Sequence, residues 1–290
     1  MPVVNLELLM SRVDNLPTLP MVALQVSELV NDPDCDSAHI AQVMQEDQAL
    51  TSRVLALVNS AYYAIPGGVA DVRRAISYLG YNTVYQLVLT VSVFQNLPAV
   101  PGTKFSIREL WKHSLGVAIA SEAVAKHLKH PAPEEAFTAG LLHDIGKVAM
   151  ASVAHKILEE VVQSAVQKGV TFRESEREIG LPGHDYVGRR LSEKWRLPAS
   201  VQAAIGYHHS LDPRARLSLP KTAHAMADVV ALADVICRRC NIGNGGDEVI
   251  PEPVQEVLDR LNLSDTALVS VADELPRAIE RSKRFLELLG

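Results

Sequence analysis

Apolar residues recur at intervals of three and four through residues 21–30, 40–44, 50–58 and 72–79, the spacing that lines one face of a helix. Sustained alternation with a period of two, the mark of a half-buried strand, is hard to find. The pattern predicts an all-α protein. Asp36 or Ser37 is placed to cap the helix through Val43, and Asp71 the one through Leu79, because their side-chain oxygens meet amides that a first helical turn leaves unpaired. Gly80 is placed to end that helix before Asn82 begins the next. The most apolar run, residues 84–97, is interrupted by Gln86, Ser92, Gln95 and Asn96 and is short for a bilayer, so it predicts a buried helix.

Pro98, Pro101 and Gly102 in LPAVPGTKF, residues 97–105, oppose continuation of one helix. They divide an N-terminal helical lobe, residues 1–100, from a second lobe, residues 101–245. Further helices begin near Ser106, Pro133, Pro182, Pro198 and Pro220, several with proline in the first turn, where its missing amide costs little. The stretch CNIGNGGDEVIPEP, residues 240–253, reads as a mobile loop. Residues 246–290 are expected to supply two short helices packed on the rest, although the last segment is also long enough to join a dimer. No internal repeat of fixed period is evident.

Composition narrows the class of function. A chain of 290 residues, 48% hydrophobic and 21% charged, can build one large core or two modest ones and is neither fibrous nor disordered. With 28 basic against 34 acidic residues the net charge is −6, which excludes an electrostatic clamp for a nucleic-acid duplex. Arg73 and Arg74, and Arg281, Lys283 and Arg284, read as solvated helix faces. Cys35, Cys237 and Cys240 cannot form a disulfide framework, and the first residues lack the pattern of a signal peptide, so a cytoplasmic location is expected. Cys237 and Cys240 have the spacing of half a zinc knuckle, but without a second pair they read as helical cysteines.

The chemistry lies in a set of histidines and carboxylates: Glu109 and His113, His143 and Asp144, then His184, His208, His209 and Asp234. Imidazole and carboxylate are common metal ligands. These come from distant segments that a helical bundle can bring around an ion. A single histidine would more often be a hydrogen-bonded core or surface residue; the ensemble argues for metal. Glu109 lies one turn before His113 and can share its face, but Ser106 three residues earlier also makes it a capping-box glutamate. Lys147, one turn after the His143–Asp144 doublet, has the reach to hold a phosphate oxygen or a water, or is an ordinary helix-terminal lysine. Two metals held close together would activate a water against a phosphodiester, with Asp144 and Lys147 as the catalytic candidates.

At HDIGK the chain resembles the HD superfamily of metal-dependent phosphohydrolases, whose separated histidine, HD doublet and later aspartate fall here on His113, His143, Asp144 and Asp234. His184, His208 and His209 resemble the extra ligands of its binuclear and trinuclear cyclic-dinucleotide phosphodiesterases. Glu109 matches an additional carboxylate of some trinuclear sites, and Lys147 the phosphate-facing lysine. In the first half, LPTLPMVALQVSELVNDPD and EDQALTSRVLALVNSAYYAIPGGVADVRRAISYLG resemble the HDOD family, the HD-related output domain of bacterial signalling proteins. The resemblance spans about residues 10–240. It implies a two-lobed helical bundle with an HD-like second lobe, a divalent metal, iron or manganese, as one or two ions, and a regulatory role through a bacterial signalling protein or a small phosphorylated ligand. Membrane insertion is not implied, and a homo-oligomer is compatible with it. YHHSLDPRARLSLP departs from the HHExxDGxGYP continuation of cyclic-di-GMP phosphodiesterases, so hydrolysis of a nucleotide or cyclic dinucleotide stands as the alternative function. Asn59, Ser60 and Tyr62 in VNSAYY are either polar contacts on a binding surface formed by residues 59–76 or a helix end with tyrosines packed between the lobes.

Overall fold

The computed structural model describes residues 6–30, 32–96, 105–217, 219–251, 255–282 and 285–287. Among them are fourteen α-helices, one 310 turn and no strand. The helices are α1 (Leu6–Asp14), α2 (Met21–Val30), α3 (Ser37–Met44), α4 (Gln48–Val58), α5 (Val72–Asn96), α6 (Ile107–His127) and α7 (Pro133–Leu142). They continue as α8 (Ile145–Lys168), α9 (Phe172–Ile179), α10 (His184–Lys194), α11 (Ala199–Tyr207), α12 (Lys221–Arg239), α13 (Gln255–Leu261) and α14 (Asp265–Arg281). No helix among the described residues is long and apolar enough to cross a membrane.

The chain forms two compact units, one of residues 17–96 with the residues from 277 onward, the other of residues 97–276 with the residues up to 16. The division near residue 97 falls on the proline-rich segment, of which residues 97–104 lie outside the described residues. Two departures from the expected boundaries are found. Helix α1 belongs with the second unit, where Leu9 and Val13 are buried and α1 packs on α8 and α10. Arg190 binds the Asp14 carboxylate through two hydrogen bonds of 2.7 Å, and Lys194 donates to the carbonyls of Asp14 and Leu16. At the other end the division falls within α14, so residues 246–290 do not act as one element.

In the unit built on residues 17–96, Asp36 caps α3 by accepting from the amides of Ala38 and His39, and Asp71 accepts from Arg74 at the start of α5. Gly80, at φ 82° and ψ 166°, breaks α5. Beyond it Val84, Leu87, Val88 and Val91 are buried, each contributing about 1.5–3 kcal/mol through area removed from water. Asn59 ends α4, and its side chain is taken up internally: Nδ2 donates to the Val69 carbonyl at 2.8 Å, and Oδ1 accepts from the Val69 amide at 2.7 Å. This closes the 60–68 loop and gives the Asn59 side chain a structural role at the end of α4.

In the other unit, α6 packs on α7 and α12, while α11 meets α7, α10 and α12. Helices α8 and α10 cross at Gly146, where a Cβ would lie 1.9 Å from the His184 carbonyl oxygen. No larger residue fits this approach, which sets the His143–Asp144 doublet beside His184.

Candidate metal centre

Six helices deliver the candidate ligands to one buried place. His113 lies within α6, and Asp234 within α12. His143 and Asp144 form the junction between α7 and α8. His184 is the first residue of α10, and His208 closes α11 with His209 following. Asp144 stands at the N-cap position of α8 but makes no capping bond, so its carboxylate is left for the site. The ligand atoms fall into two groups, Asp144 with His184, His208 and His209, and His113 with His143 and Asp234; within each group they lie within 4.8 Å of one another. The groups adjoin through the doublet, His143 Nε2 lying 3.3 Å from Asp144 Oδ2.

The second nitrogen of each central imidazole shows which way its lone pair points. His143 Nδ1 is 2.7 Å from the Gly140 carbonyl, and His208 Nδ1 is 3.0 Å from that of Ile205. A carbonyl only accepts, so each Nδ1 carries the proton and each Nε2 presents a lone pair to the centre. His184 Nδ1 is 2.9 Å from Glu176 Oε2, the carboxylate–histidine arrangement that fixes a metal-binding ring. Buried His208 Nε2, Asp144 Oδ1 and His113 Nε2 have no hydrogen-bond partner. His113 Nε2 is nonetheless 2.9 Å from Asp234 Oδ1, close without the alignment of a hydrogen bond. An orphaned buried polar atom costs about 1–3 kcal/mol, and Asp144 Oδ1 and His208 Nε2, 3.8 Å apart within one ligand group, form a pair of acceptors that a cation would satisfy. The residues present therefore fit a divalent metal of borderline character, with imidazole and carboxylate donors.

Burial alone would raise the Asp144 carboxyl, but His143 and Lys147 hold it well below the usual carboxylate range. Asp234 is likewise held low against its burial, by Arg238 and then His113. Burial lowers His113, His208 and His209, favouring the neutral rings a metal needs. For His184 burial also opposes charge, yet Glu176 outweighs it and raises the ring to about 9, so its Nε2 is the most basic position offered to a cation. Cys237 Sγ lies 3.6 Å from His113 Nδ1, and burial pushes its thiol well up.

Lys147 is fully buried. Its ammonium donates to Asp144 Oδ2 and to the Gly245 carbonyl, both at 2.8 Å, and lies 4.7 Å over the Phe172 ring. To reach a phosphate it must exchange the Gly245 carbonyl. That carbonyl belongs to the 240–253 stretch, expected to be mobile; its described part, residues 240–251, is a packed strap with Ile242, Gly245, Gly246 and Asp247 buried. Its glycines serve close approach: Gly243 has φ +65°, and a Cβ there would lie 2.2 Å from the His113 amide nitrogen. Asp247 anchors the strap, accepting from the Phe172 amide at 3.0 Å and from Arg238 at 2.8 Å. Arg238 also holds Asp234 through Nε at 3.0 and 3.1 Å.

Glu109 is the expected ligand that the fold does not bring into either group. Its amide donates to Ser106 Oγ at 3.2 Å, and its carbonyl accepts from the Asn244 amide. It sits in the first turn of α6, where its backbone amide and carbonyl serve the helix cap and the strap. Four residues with roles here carried no motif: Glu176, Arg238, Gly245 and Asp247. Glu176 was detectable, since a carboxylate on the same face as Phe172 in α9 is out of place unless it has a buried partner. A cavity of about 180 Å3 reaches the centre past Lys147, His208, His209 and Arg238.

The structure is similar to an HDOD domain protein of unknown function from Geobacter sulfurreducens, 27% identical, with TM-score 0.78 over 97% of this chain and 98% of that one. It is similar to a Shewanella amazonensis protein described as a "putative phosphohydrolase", 25% identical, with TM-score 0.72 over 99% of both chains. An uncharacterized protein of Treponema pallidum is 25% identical over 228 residues, 78% of this chain. This chain spans 43% of the length of that curated relative. Residues 16–211 match the model of the HDOD domain, well over half of the sequence, and the chain belongs to the HDOD family.

Proposed function

We propose that this chain is a metal-binding regulatory module that acts in the bacterial cytoplasm through contacts with a signalling protein or a small phosphorylated ligand. Its centre holds two divalent ions, iron or manganese, on the two ligand groups. The single observation that carries the regulatory reading is the strap: Lys147 and Arg238, the two buried cations nearest the ligands, are held by Gly245, Asp144, Asp234 and Asp247, so neither is free to bind substrate. Bound ions would supply Lewis-acid polarisation of a phosphoryl oxygen and activation of water. The chain's own residues orient the imidazoles, keep Asp144 ionised and exclude bulk water from the ligand atoms.

The second reading is a phosphohydrolase or phosphodiesterase using Asp144 and Lys147. It is favoured by the cavity that reaches His209 and by the description of the Shewanella protein. Metal-loaded protein and its Asp144→Ala variant, assayed against nucleotides and cyclic dinucleotides, separate the two. The regulatory reading expects no turnover in any metal state. Turnover that Asp144→Ala abolishes supports the hydrolase, and turnover that it leaves unchanged places the chemistry elsewhere.

A further inference from the structure

The cavity above the ligand atoms has two halves of different chemistry. Its floor is Lys147, His208, His209, Asp234 and Arg238; its wall is Leu211, Ala231, Leu232, Val235, Pro251 and Val257. The wall residues come from α12, α13 and the two loops beside them, all within one unit. A metal centre that served only to brace helices would need no apolar chamber opening onto it.

Charge and volume together narrow what enters. Lys147, Arg173 and Arg238 stand against Asp144, Glu176, Asp185, Asp234 and Asp247 around the centre, three cations to five carboxylates, which leaves two negative charges when the imidazoles are neutral. Two divalent ions reverse this to two positive charges. A phosphomonoester dianion balances that surplus, whereas a phosphodiester group brings half of it. A volume of about 180 Å3 is slightly above the roughly 150 Å3 cavity that accepts a benzene ring. It is below the roughly 300–1,000 Å3 of pockets that engulf a drug-sized ligand, and a cyclic dinucleotide is larger still.

Building on the metal-centre reading above, we propose that this cavity is a receptor site for a small phosphomonoester whose body is a single apolar ring or short chain, the head set on the ions and the body against Leu211, Val235 and Val257. The body, and not the phosphate alone, selects the ligand. The phosphate head needs no release of Lys147, which keeps its bonds to Asp144 and the Gly245 carbonyl.

The test uses phosphonates, which have no ester to hydrolyse. Metal content of the full chain is measured first by elemental analysis, and the loaded protein is then titrated calorimetrically with phenylphosphonate, methylphosphonate and a cyclic dinucleotide. Phenylphosphonate is expected to bind about tenfold or more tightly than methylphosphonate, as burial of a ring implies, and the cyclic dinucleotide not to bind. Leu211→Trp, at the half-exposed rim, and Ala231→Leu, a milder filling of the wall, are each expected to erase the phenyl preference, with metal content showing that the centre itself is intact. Equal binding of the two phosphonates, binding of the cyclic dinucleotide, or a phenyl preference that survives both variants overturns the inference alone. A chain that loads no metal overturns the reading beneath it as well.

Discussion

Glu176 holds His184 with both of its carboxylate oxygens, Oε1 accepting the His184 backbone amide at 2.8 Å and Oε2 facing its Nδ1 at 2.9 Å. One side chain thus fixes both the start of α10 and the orientation of a ligand ring. Glu176→Gln keeps the shape but removes the charge that makes His184 basic. Metal affinity is expected to fall about 10- to 100-fold, read by competition with a chelator, with the helical content unchanged. Affinity equal to that of the parent would show that Glu176 serves only the backbone.

Lys147 and Asp144 are both buried, and each is the other's nearest opposite charge. Lys147→Met removes the cation and leaves the Asp144 carboxylate uncompensated, a change that costs about 3–5 kcal/mol in a buried pair. A bound cation replaces the lost charge. The variant is therefore expected to lose far more stability without metal than with it, measured by urea unfolding of both forms. Equal losses would contradict the assignment of Asp144 to a metal.

Gly243 has no space for a side chain, since a Cβ would press on the His113 amide. Gly243→Ala combines this clash with a left-handed backbone and is expected to cost about 2 kcal/mol or more. The strap should detach from α6, so limited proteolysis is expected to cut within residues 241–249 of the variant and spare the parent. Cleavage at the same rate in both would show that the strap is loose to begin with.

Asn59 makes two hydrogen bonds to Val69, remote in sequence from every ligand. Asn59→Ala is expected to cost about 1–3 kcal/mol, because two bonds are lost and the Val69 groups are left without their partners. Metal content should not change. A fall in metal content would tie the 59–69 loop to the centre by a route that these hydrogen bonds do not provide.

The parts of the fold that local chemistry encodes were legible in the chain. Asp36 and Asp71 mark helix starts because an N-cap is a short-range bond, and the proline before α12 marks another. The candidate ligands His113, His143, Asp144, His184, His208, His209 and Asp234, which the fold brings into two groups, stood out by residue type. What depended on tertiary approach did not. Glycines 243 and 246 read as parts of a flexible loop, yet they are small because α6 and Phe172 press against them. Glu109 was ambiguous between a ligand and a capping-box residue; its backbone amide is bonded to the Ser106 hydroxyl, and its carboxylate joins neither ligand group. The attachment of α1 to α10 rests on Asp14 and Arg190, separated by more than half the chain, and no periodicity reports such a pair.

Elemental analysis of protein purified without oxygen tests the central claim most directly, because every role assigned above requires that the two ligand groups hold ions. About two divalent transition-metal ions per chain are expected, one for each group, with loss of both on Asp144→Ala combined with His113→Ala. Less than about one ion per chain after anaerobic reconstitution would contradict the account.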